Sequence, residues 1–401
     1  MVWQETGMMD ERLGFIVQCL AEDKTMTALC EQFGISRKTG YKWLGRYKAI
    51  GPAGLYDLPR APLRHGRATA PALVARIVAL KEAHPLWGPK KIIGRLERDT
   101  PLEIWPAVST AGEILKRHGL VGRRRLRWRA TGNGPWPEPE GPNAVWTADH
   151  KGWFRTRDGQ RCEPLTIMDT FSRFVLALEA TGSTAQEEAW PVFERLFEEN
   201  GLPDWVRSDN GPPFASAGVT GLTPLSVRFI KLGIALQRIQ PGKPQQNGRH
   251  ERFHLTMLPL AKAPELDRTA QARAFDAFRK EYNHTRPHEA LGMDTPAQHY
   301  TRSPRTMPGT LPEPDYPAEA AVRQVRQNGE IKWNGGLVYI SSALAGEAVA
   351  AVQTEEGHWA LNFYAHPLGL IDPKRMRLVR LGALQPRPAG AKPDNKTARK
   401  L

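Results

Sequence analysis

The stretch VWTADHKGWF, residues 145–154, places a carboxylate inside a run of apolar and aromatic residues. Asp149 follows Trp146 and Ala148 and precedes Trp153 and Phe154. Such a run is typical of a buried strand, and a carboxylate is costly to bury unless a partner or a cation compensates its charge. The stretch therefore predicts a buried strand with a functional acid near its end.

Residues 144–300 around this stretch alternate strand-like and helix-like patterns. We predict two strands in CEPLTIMDTFSRFVLALEA, 162–180, which turn at DTFSR, and an amphipathic helix that ends near Asn200. WVRSDNG, 205–211, is a short strand that delivers Asp209 to its end. PGKPQQNGRHERFHLTML, 241–258, opens a helix that carries Glu251.

Asp149, Asp209 and Glu251 thus lie on three different elements. Carboxylates that crowd together repel one another unless a cation neutralises them. Mg²⁺ prefers oxygen ligands, and two such ions about 3.5–4 Å apart support phosphoryl transfer. The alternative is that each acid only caps a turn or pairs with an arginine, and for any one acid alone that is the better interpretation.

The chain is strongly basic, with 56 Lys and Arg against 42 Asp and Glu, a net charge of +14. Most of the excess is N-terminal, since residues 1–142 hold 23 basic and 14 acidic residues. A charge of this size suggests a polyanionic partner such as nucleic acid, although a basic surface also serves solubility.

The first helical block, 1–58, has the pattern of a helix-turn-helix domain. Leu13, Ile16, Val17 and Leu20 are spaced for one apolar face, and Gly34 fits a tight turn. Ser36 caps a following helix, for which Tyr41 and Leu44 are the expected anchors and Trp43 is a further candidate. Gly40 within this helix costs about 1 kcal/mol relative to Ala. Its predicted DNA contacts are Arg37, Lys38, Lys42 and Arg46. A three-helix bundle with a solvated basic face is the alternative.

A second helix-turn-helix domain is predicted at 68–121, with a helix that starts at Pro89. A basic linker, 122–143, follows and contains GRRRLRWR. A charge run is usually only solvated, but this one lies between DNA-binding candidates and therefore fits phosphate or minor-groove contact. The residues predicted to make it are Arg123, Arg124, Arg125 and Arg127.

Residues 320–380 predict a small all-β barrel, because IKWNGGLVYIS and EAVAAVQTEEGHWALNFY alternate and contain turns. Residues 381–401 have the composition of a disordered basic tail. Three cysteines without a CxxC pattern argue against a disulfide framework or a zinc site. With no membrane span and no signal peptide in the sequence, we expect a cytoplasmic, nucleoid-associated protein.

Taken together, WTADHKG, MDTFSR, RSDNGPPF, PGKPQQNGRHERFH and YNHTRPHEALGMDTPAQHY make the chain resemble a DDE transposase. It is most similar to bacterial insertion-sequence family 481, close to family 3 and the retroviral-type integrases. The resemblance extends from the tandem helix-turn-helix start to at least Tyr300. It implies a multidomain protein: an all-α N-terminal region, an α/β RNase H-like core with a mixed five-stranded sheet, and an all-β C-terminal unit.

The resemblance also implies that Asp149, Asp209 and Glu251 are the catalytic and metal-binding acids, holding two Mg²⁺ ions with Mn²⁺ as a substitute. It implies double-stranded DNA as partner, both element ends and target, bound by a homodimer or higher oligomer. Further DNA contacts are predicted beside the catalytic helix, at Lys243, Gln246, Asn247 and Arg252.

Two features depart from the family pattern. The interval from Asp209 to Glu251 is longer than usual, and the extra length in FASAGVTGLTPLSVRF, 214–229, is expected to be an inserted surface loop. Relatives usually carry a DNA-contacting lysine seven residues after the glutamate. Here that position is Leu258, and Pro259 is expected to interrupt the helix. Arg249, Arg252 or Lys262 could substitute for the lysine.

The predicted function is that of a transposase, which binds the terminal inverted repeats of its insertion sequence, cleaves their 3′ ends and joins them to target DNA. One alternative is a catalytically inactive, transposase-derived DNA-binding protein, which Leu258 favours and the intact acids disfavour. Another is an RNase H-like nuclease without strand transfer, against which the tandem DNA-binding modules argue.

Overall fold

The computed structural model describes residues 7–57, 68–122, 137–240, 243–355 and 357–380. The chain forms two compact units, Met1–Ala70 and Pro71–Leu401. The four arginines predicted to contact DNA in the linker, and the tail 381–401, lie outside the described residues. None of the helices within the described ranges is long and apolar enough to cross a membrane.

Three helices form the first unit: α1 (Met8–Ala21), α2 (Met26–Gln32) and α3 (Arg37–Ile50). Ser36 Oγ caps α3, as predicted, by accepting a hydrogen bond from Thr39 N. Gly34 lies in the turn before it with φ of 62°, a conformation that favours glycine. The core of the unit contains Phe15, Ile16, Leu29, Cys30, Trp43 and Leu55.

The buried face of α1 differs from the predicted one. Ile16 is buried, but Leu13, Val17 and Leu20 are 42, 58 and 51% exposed, and Phe15 lies in the core instead. An amphipathic pattern identifies the apolar positions of a helix but does not show which of them the neighbouring helices cover.

Helix α3 corrects two further expectations. Trp43 is its buried anchor, whereas Tyr41 is 54% exposed. Gly40 is required by packing, because a Cβ atom there would lie 2.6 Å from Cys30 Sγ and 3.0 Å from Phe15 Cζ. The glycine therefore allows α3 to approach α2 and α1 closely, which offsets its low helix propensity.

Gly40→Ala should destabilise the first unit, because the added methyl group would overlap Cys30 and Phe15. We expect a loss of roughly 1–3 kcal/mol. The matched control is Gly45→Ala on the same helix, where the space around the added Cβ atom is open. This variant should be more stable than the wild type by up to about 1 kcal/mol. Hydrogen–deuterium exchange of peptides from α1–α3 in the full chain measures both. Equal protection in the two variants would contradict this packing.

The second unit begins with α4 (Pro71–Ala83), α5 (Pro89–Asp99) and α6 (Val108–Arg117). Pro89 is the first residue of α5, as the sequence predicts. These helices enclose a core of Ile77, Trp87, Ile92, Ile93, Leu96, Trp105, Ala111, Ile114 and Leu115. They belong to the same compact unit as the sheet that follows.

The central sheet contains β1 (Val145–His150), β2 (Phe154–Arg155), β3 (Arg161–Asp169), β4 (Val175–Thr181), β5 (Trp205–Ser208) and β6 (Ala235–Arg238). Strand β3 pairs antiparallel with β1 and β4, whereas β5 pairs parallel with β1 and with β6. The order β4-β3-β1-β5-β6 is the predicted mixed five-stranded sheet, and the short β2 pairs with the start of β3.

Helices cover both faces of this sheet: α7 (Gln186–Asn200), α8 (Pro224–Lys231), α9 (Gly248–Lys262) and α10 (Arg268–His284). One face packs with α7 and α8, including Trp146, Phe193, Phe197 and Phe229. The other packs with α9 and α10, including Met168, Phe253, Met257, Phe275 and Tyr282. The arrangement is a three-layer RNase H-like core of the integrase type.

The stretch 214–229 is only partly the surface loop that we expected. Its second half begins α8 at Pro224, with Thr223 as the cap. Leu222, Val227 and Ile230 are buried in the same hydrophobic cluster as the C-terminal strands. The inserted residues therefore attach the C-terminal β region to the sheet domain, which a composition rich in Gly, Thr and Ser does not reveal.

The C-terminal region contains β7 (Ala321–Gln324), β8 (Glu330–Trp333), β9 (Gly336–Tyr339), β10 (Ala348–Gln353), β11 (Trp359–Phe363), β12 (His366–Asp372) and β13 (Arg377–Val379). Five strands form an antiparallel sheet in the order β13-β12-β11-β10-β7, and β8 and β9 form a separate hairpin. The predicted barrel is not closed, because no strand pairing joins hairpin and sheet within the described residues.

Candidate active site

Asp149 lies near the end of β1, the strand between β3 and β5. On one face of β1, Trp146 and Ala148 are fully buried in the core beneath α7. On the other face, Thr147 Oγ1 contacts His250 Nδ1 of α9 at 2.8 Å. Because β1 is held on both faces, Asp149 is fixed at the edge of the sheet.

Asp209 follows β5 directly. In the parallel pairing of β1 and β5, Ala148 lies opposite Ser208, so the next residue of each strand is an acid at the same edge of the sheet. Gly211 N donates a hydrogen bond of 3.1 Å to Asp209 Oδ1, and Asn210 Nδ2 donates one of 2.7 Å to Ile239 O. This turn fixes Asp209 beside Asp149.

Glu251 lies in the first turn of α9 and is exposed. The helix is anchored beneath it by Phe253 and Met257, which are 1% and 0% exposed. One cavity of about 460 Å³ is lined by all three acids. Its wall also includes Lys151, Asn210, Gly211, Gln240, Lys243, Asn247 and His254.

Crowding of the three acids affects the protonation of Asp149. Burial, and then the charges of Asp209 and Glu251, raise the pKa of Asp149 to about 7, although Lys151 and a backbone N–H act in the opposite direction. The ionised form of this acid is therefore disfavoured in the folded protein. A bound divalent cation would favour it, and three carboxylates are the oxygen donors that such a cation needs. The site thus indicates divalent metal binding.

Two buried histidines and a threonine support Asp149 from behind. Thr166 Oγ1 donates to the Asp149 carbonyl oxygen at 2.8 Å, and it contacts His250 Nε2 at 2.6 Å and His254 Nε2 at 2.8 Å. A hydroxyl has one hydrogen, so both histidines must donate to Thr166. Burial lowers the pKa of His250 to about 3 and that of His254 to about 2, which keeps both neutral.

This network decides between two roles for the histidines. Asp149, His250 and His254 offer ligand atoms within 4.8 Å of one another, which would suit a metal. However, both ring nitrogens of His250 are already within 2.8 Å of threonine hydroxyls. We therefore interpret the histidines as supports of β1. From the sequence, His254 was already expected to support the acids or to pack rather than to bind a metal, whereas His250 was not singled out. Their spacing of four residues on α9 places both on one face.

The other residues near the acids have structural roles. Asp169, in the DTFSR turn, accepts hydrogen bonds from Asn143 N at 2.8 Å and Ser172 N at 2.7 Å, so it is a turn acid, as predicted. His150 is half-buried and also lines the acid cavity, and its ring centroid lies 6.2 Å from that of Phe214.

The predicted DNA contacts beside α9 occupy different places. Lys243 is exposed and Asn247 buried, and both line the acid cavity. Gln246 instead accepts a hydrogen bond of 2.7 Å from Gln240 N, so its side-chain oxygen braces the loop. Arg252 is exposed but borders a different groove.

On α3, three of the four predicted contacts are exposed: Arg37, Lys38 and Lys42. Arg46 is half-buried, with its guanidinium 5.2 Å from the centre of the Trp43 ring. Arg37 and Lys38 are therefore free to reach DNA. Lys42, whose Nζ lies 4.6 Å from the centre of the Trp43 ring, and Arg46 also contact the core of their own unit.

Helix α9 continues through Pro259 to Lys262, so the expected interruption is wrong. The helix tolerates the proline at the loss of one backbone donor. Leu258, at the position where the family resemblance implies a lysine, is half-buried. Arg249 donates a hydrogen bond of 3.2 Å to Thr170 O and pairs with Glu138, so its charge is already matched.

Comparison with protein families agrees with this architecture. Residues 139–244 and 232–296 each match a model described as an integrase core domain. Residues 14–62 match a helix-turn-helix domain, and residues 39–115 match a homeodomain-like domain.

Similar curated proteins come from insertion elements and retroviral elements. An uncharacterized protein of insertion element IS407 from Burkholderia multivorans is 27% identical over 56% of this chain and 79% of its own length. One of IS476 from Xanthomonas euvesicatoria is 26% identical over 69% of this chain and 78% of its own. The Gag-Pol polyprotein of baboon endogenous virus is 36% identical over 93 residues, 23% of this chain and 5% of its own.

Among solved structures, a simian T-cell lymphotropic virus intasome aligns over 74% of this chain and 99% of that chain, at 17% identity and a TM-score of 0.36. The HTLV-2 integrase catalytic core aligns over 40% and 98%, at 17% identity and a TM-score of 0.31.

The chain thus contains an integrase core and helix-turn-helix domains, and it is similar to proteins of insertion elements. These similarities support a DDE transposase of an insertion sequence, a polynucleotidyl transferase. Its narrower placement in family 481 stays a prediction.

Asp149→Asn should stabilise the metal-free chain at high pH. Folding raises the pKa of Asp149 to about 7 from an ordinary value near 4. The loss of folding stability caused by ionised Asp149 is therefore absent below pH ~4 and complete above pH ~7. We expect the gain to grow across that range to at most about 4 kcal/mol, measured by thermal unfolding in EDTA.

The matched control for this experiment is Glu198→Gln, which removes an exposed carboxylate outside the cavity and should show no such trend. Mn²⁺ at pH 8 should then raise the Tm of the wild type more than that of Asp149→Asn. A gain independent of pH would contradict the crowding of the acids.

Proposed function

We propose that the chain binds the terminal inverted repeats of its own insertion sequence, cleaves their 3′ ends and joins those ends to target DNA. The observation that carries this proposal is the single cavity lined by Asp149, Asp209 and Glu251. Three acids from separate elements line one cavity whose lining includes two basic residues, Lys151 and Lys243. This arrangement suits metal-dependent phosphoryl transfer better than a structural role.

Asp149, Asp209 and Glu251 would hold two Mg²⁺ ions, with Mn²⁺ able to replace them. When bound, the ions supply stabilisation of charge on the attacking and leaving oxygens. In cleavage, a water oxygen would form a bond to phosphorus while the bond to the 3′ oxygen breaks. In joining, the freed 3′ hydroxyl would attack a target phosphodiester and release a target 3′ hydroxyl.

The chain's own residues would position the DNA for these reactions. The exposed basic side chains at the start of α3 would enter the major groove. Lys243 and Asn247 would contact the strand beside the acids, since both line the cavity. The Thr166–His250–His254 network would keep β1 fixed. Because two element ends are joined in concert, we propose at least a homodimer on DNA.

The second candidate is a DNA-binding protein that has lost catalysis. Leu258 favours it, because relatives have lysine there. The acid cavity argues against it, since a cluster of repelling carboxylates destabilises a fold that has no use for a cation.

The proposed activity is tested with the purified full chain, a linear fragment that carries the DNA flanking its gene, and a plasmid target. We expect joined products that require Mg²⁺ or Mn²⁺. Asp209→Asn should reduce them by roughly a thousandfold while DNA binding remains, because Asp209 touches the metal rather than the helix-turn-helix contacts.

The control variant Glu198→Gln should join DNA as the wild type does. Equal joining by Asp209→Asn would overturn the assignment of the acids. Sequence-specific binding by the wild type without cleavage in either metal would favour the non-catalytic candidate.

A further inference from the structure

A second groove, of about 790 Å³, lies in the Pro71–Leu401 unit and does not include the acids. It is bordered by α5, by α9 and by the segment after α10. Three cations line it, one from each of these elements: Lys91, Arg252 and Arg286. The proposed chemistry at the acids does not use this groove.

The three cations are close enough to affect one another. Burial, and then the charges of Arg286 and Arg252, lower the pKa of Lys91 to about 7, although Glu281 and Glu289 act in the opposite direction. Burial also lowers the pKa of Arg286; Glu281 and Tyr282 oppose this decrease and Arg252 adds to it. Converging positive charges in a partly buried groove repel one another unless an anion lies between them.

Two acids near the groove offset part of its charge. Glu281 acts on Lys91 and Arg286, and Glu289, which lines the groove, acts on Lys91. Because Glu281 also lies 3.3 Å from His84 Nδ1 and Glu289 also pairs with Lys90, the three cations still outnumber the acids that face them.

Of the three cations, Arg286 is the one that an anionic partner would stabilise most. It is 8% exposed, and among the described residues its guanidinium makes no hydrogen bond and no ion pair within 4.0 Å. A buried arginine without a partner is costly. His288, which also lines the groove, has Nε2 buried without a hydrogen-bond partner.

Helix α5 is attached firmly to this site, so Lys91 does not belong to a mobile module. Arg98 donates hydrogen bonds of 3.0 Å to Met293 O and to Gln298 Oε1. Lys91 itself donates to Pro287 O. Position 94 also approaches Met293 so closely that a Cβ atom would lie 3.1 Å from its Cγ. The basic residues of α5 thus serve the sheet domain rather than a free DNA-reading surface.

The groove also lies beside the catalytic helix. Arg252 is adjacent in sequence to Glu251, and successive residues of a helix diverge by about 100°. Glu251 therefore faces the acid cavity while Arg252 faces the cationic groove.

We propose that Lys91, Arg252 and Arg286 bind a backbone phosphate of DNA held in the active site, in place of the lysine absent at position 258. The ligand class is a phosphodiester, which arginine and lysine bind through charge-assisted hydrogen bonds. This inference rests on the proposed function. The phosphate could belong to the element end or to the target.

The test measures binding of the full chain to an element-end duplex and to a target duplex, across a range of KCl concentrations, with Ca²⁺ to avoid cleavage. Arg252→Gln and Lys91→Gln should each lower affinity roughly tenfold and reduce the salt slope by about 0.9. The double variant should lose less than the product of the two, because both residues touch one phosphate.

Arg273→Gln is the matched control, since it removes an exposed arginine of α10 outside the groove; it should bind as the wild type does. Lys262→Gln tests the competing substitute on α9. An unchanged affinity in Arg252→Gln, or a loss confined to Lys262→Gln, would overturn the proposal. The variants must keep the wild-type Tm, and Arg252 is exposed enough for that.

Neutral methylphosphonates placed one at a time along each duplex identify the phosphate. At one position, the neutral substitution should lower the affinity of the wild type but should not lower the affinity of Arg252→Gln any further. The duplex that contains this position shows whether the bound phosphate belongs to the element end or to the target. If no position behaves so, the groove does not bind a DNA phosphate. If the wild type joins DNA but no position behaves in this way, only the proposed role of the groove is refuted. If Asp209→Asn joins DNA, the proposed function is refuted.

Discussion

Burial of β1 on both faces is the constraint on which the site depends. Trp146 and Ala148 hold the strand against α7, while Thr147 and the carbonyl of Asp149 are tied to the His250 and Thr166 hydrogen bonds beneath α9. With backbone and side chains fixed, the Asp149 carboxyl cannot move away from its neighbours. The repulsion at the sheet edge is therefore retained, and it is relieved only by protonation or by a cation.

The sequence predicted the parts of the molecule that local patterns determine. The apolar run around Asp149, the strand before Asp209 and the helix entry before Glu251 placed three acids at element ends, and the resemblance placed them in one site. The parallel pairing of β1 with β5 brings Asp149 and Asp209 to the same edge of the sheet, because it aligns Ala148 with Ser208. The Ser36 cap and the Gly34 turn were predictable for the same reason, since both depend on neighbouring residues.

Long-range packing accounts for what could not be predicted. Gly40 looked like a defect of α3 because its contacts, Cys30 and Phe15, lie on other helices. The stretch 214–229 looked like a loop because the strands that cover Leu222 and Val227 lie about a hundred residues later. Likewise, residues 68–121 were predicted as a second helix-turn-helix domain, whereas the structure attaches α5 to the segment after α10. Composition shows the type of residue at a position but not its distant partner.

The central claim is that Asp149, Asp209 and Glu251 together hold divalent cations, with His250 and His254 as supports only. Anomalous diffraction from crystals of the full chain grown with Mn²⁺ tests it most directly. The account predicts two Mn²⁺ peaks ligated by carboxylate oxygens of those three acids, and no peak at either imidazole. A single ion held by Asp149 with His250 or His254, away from Glu251, would contradict it.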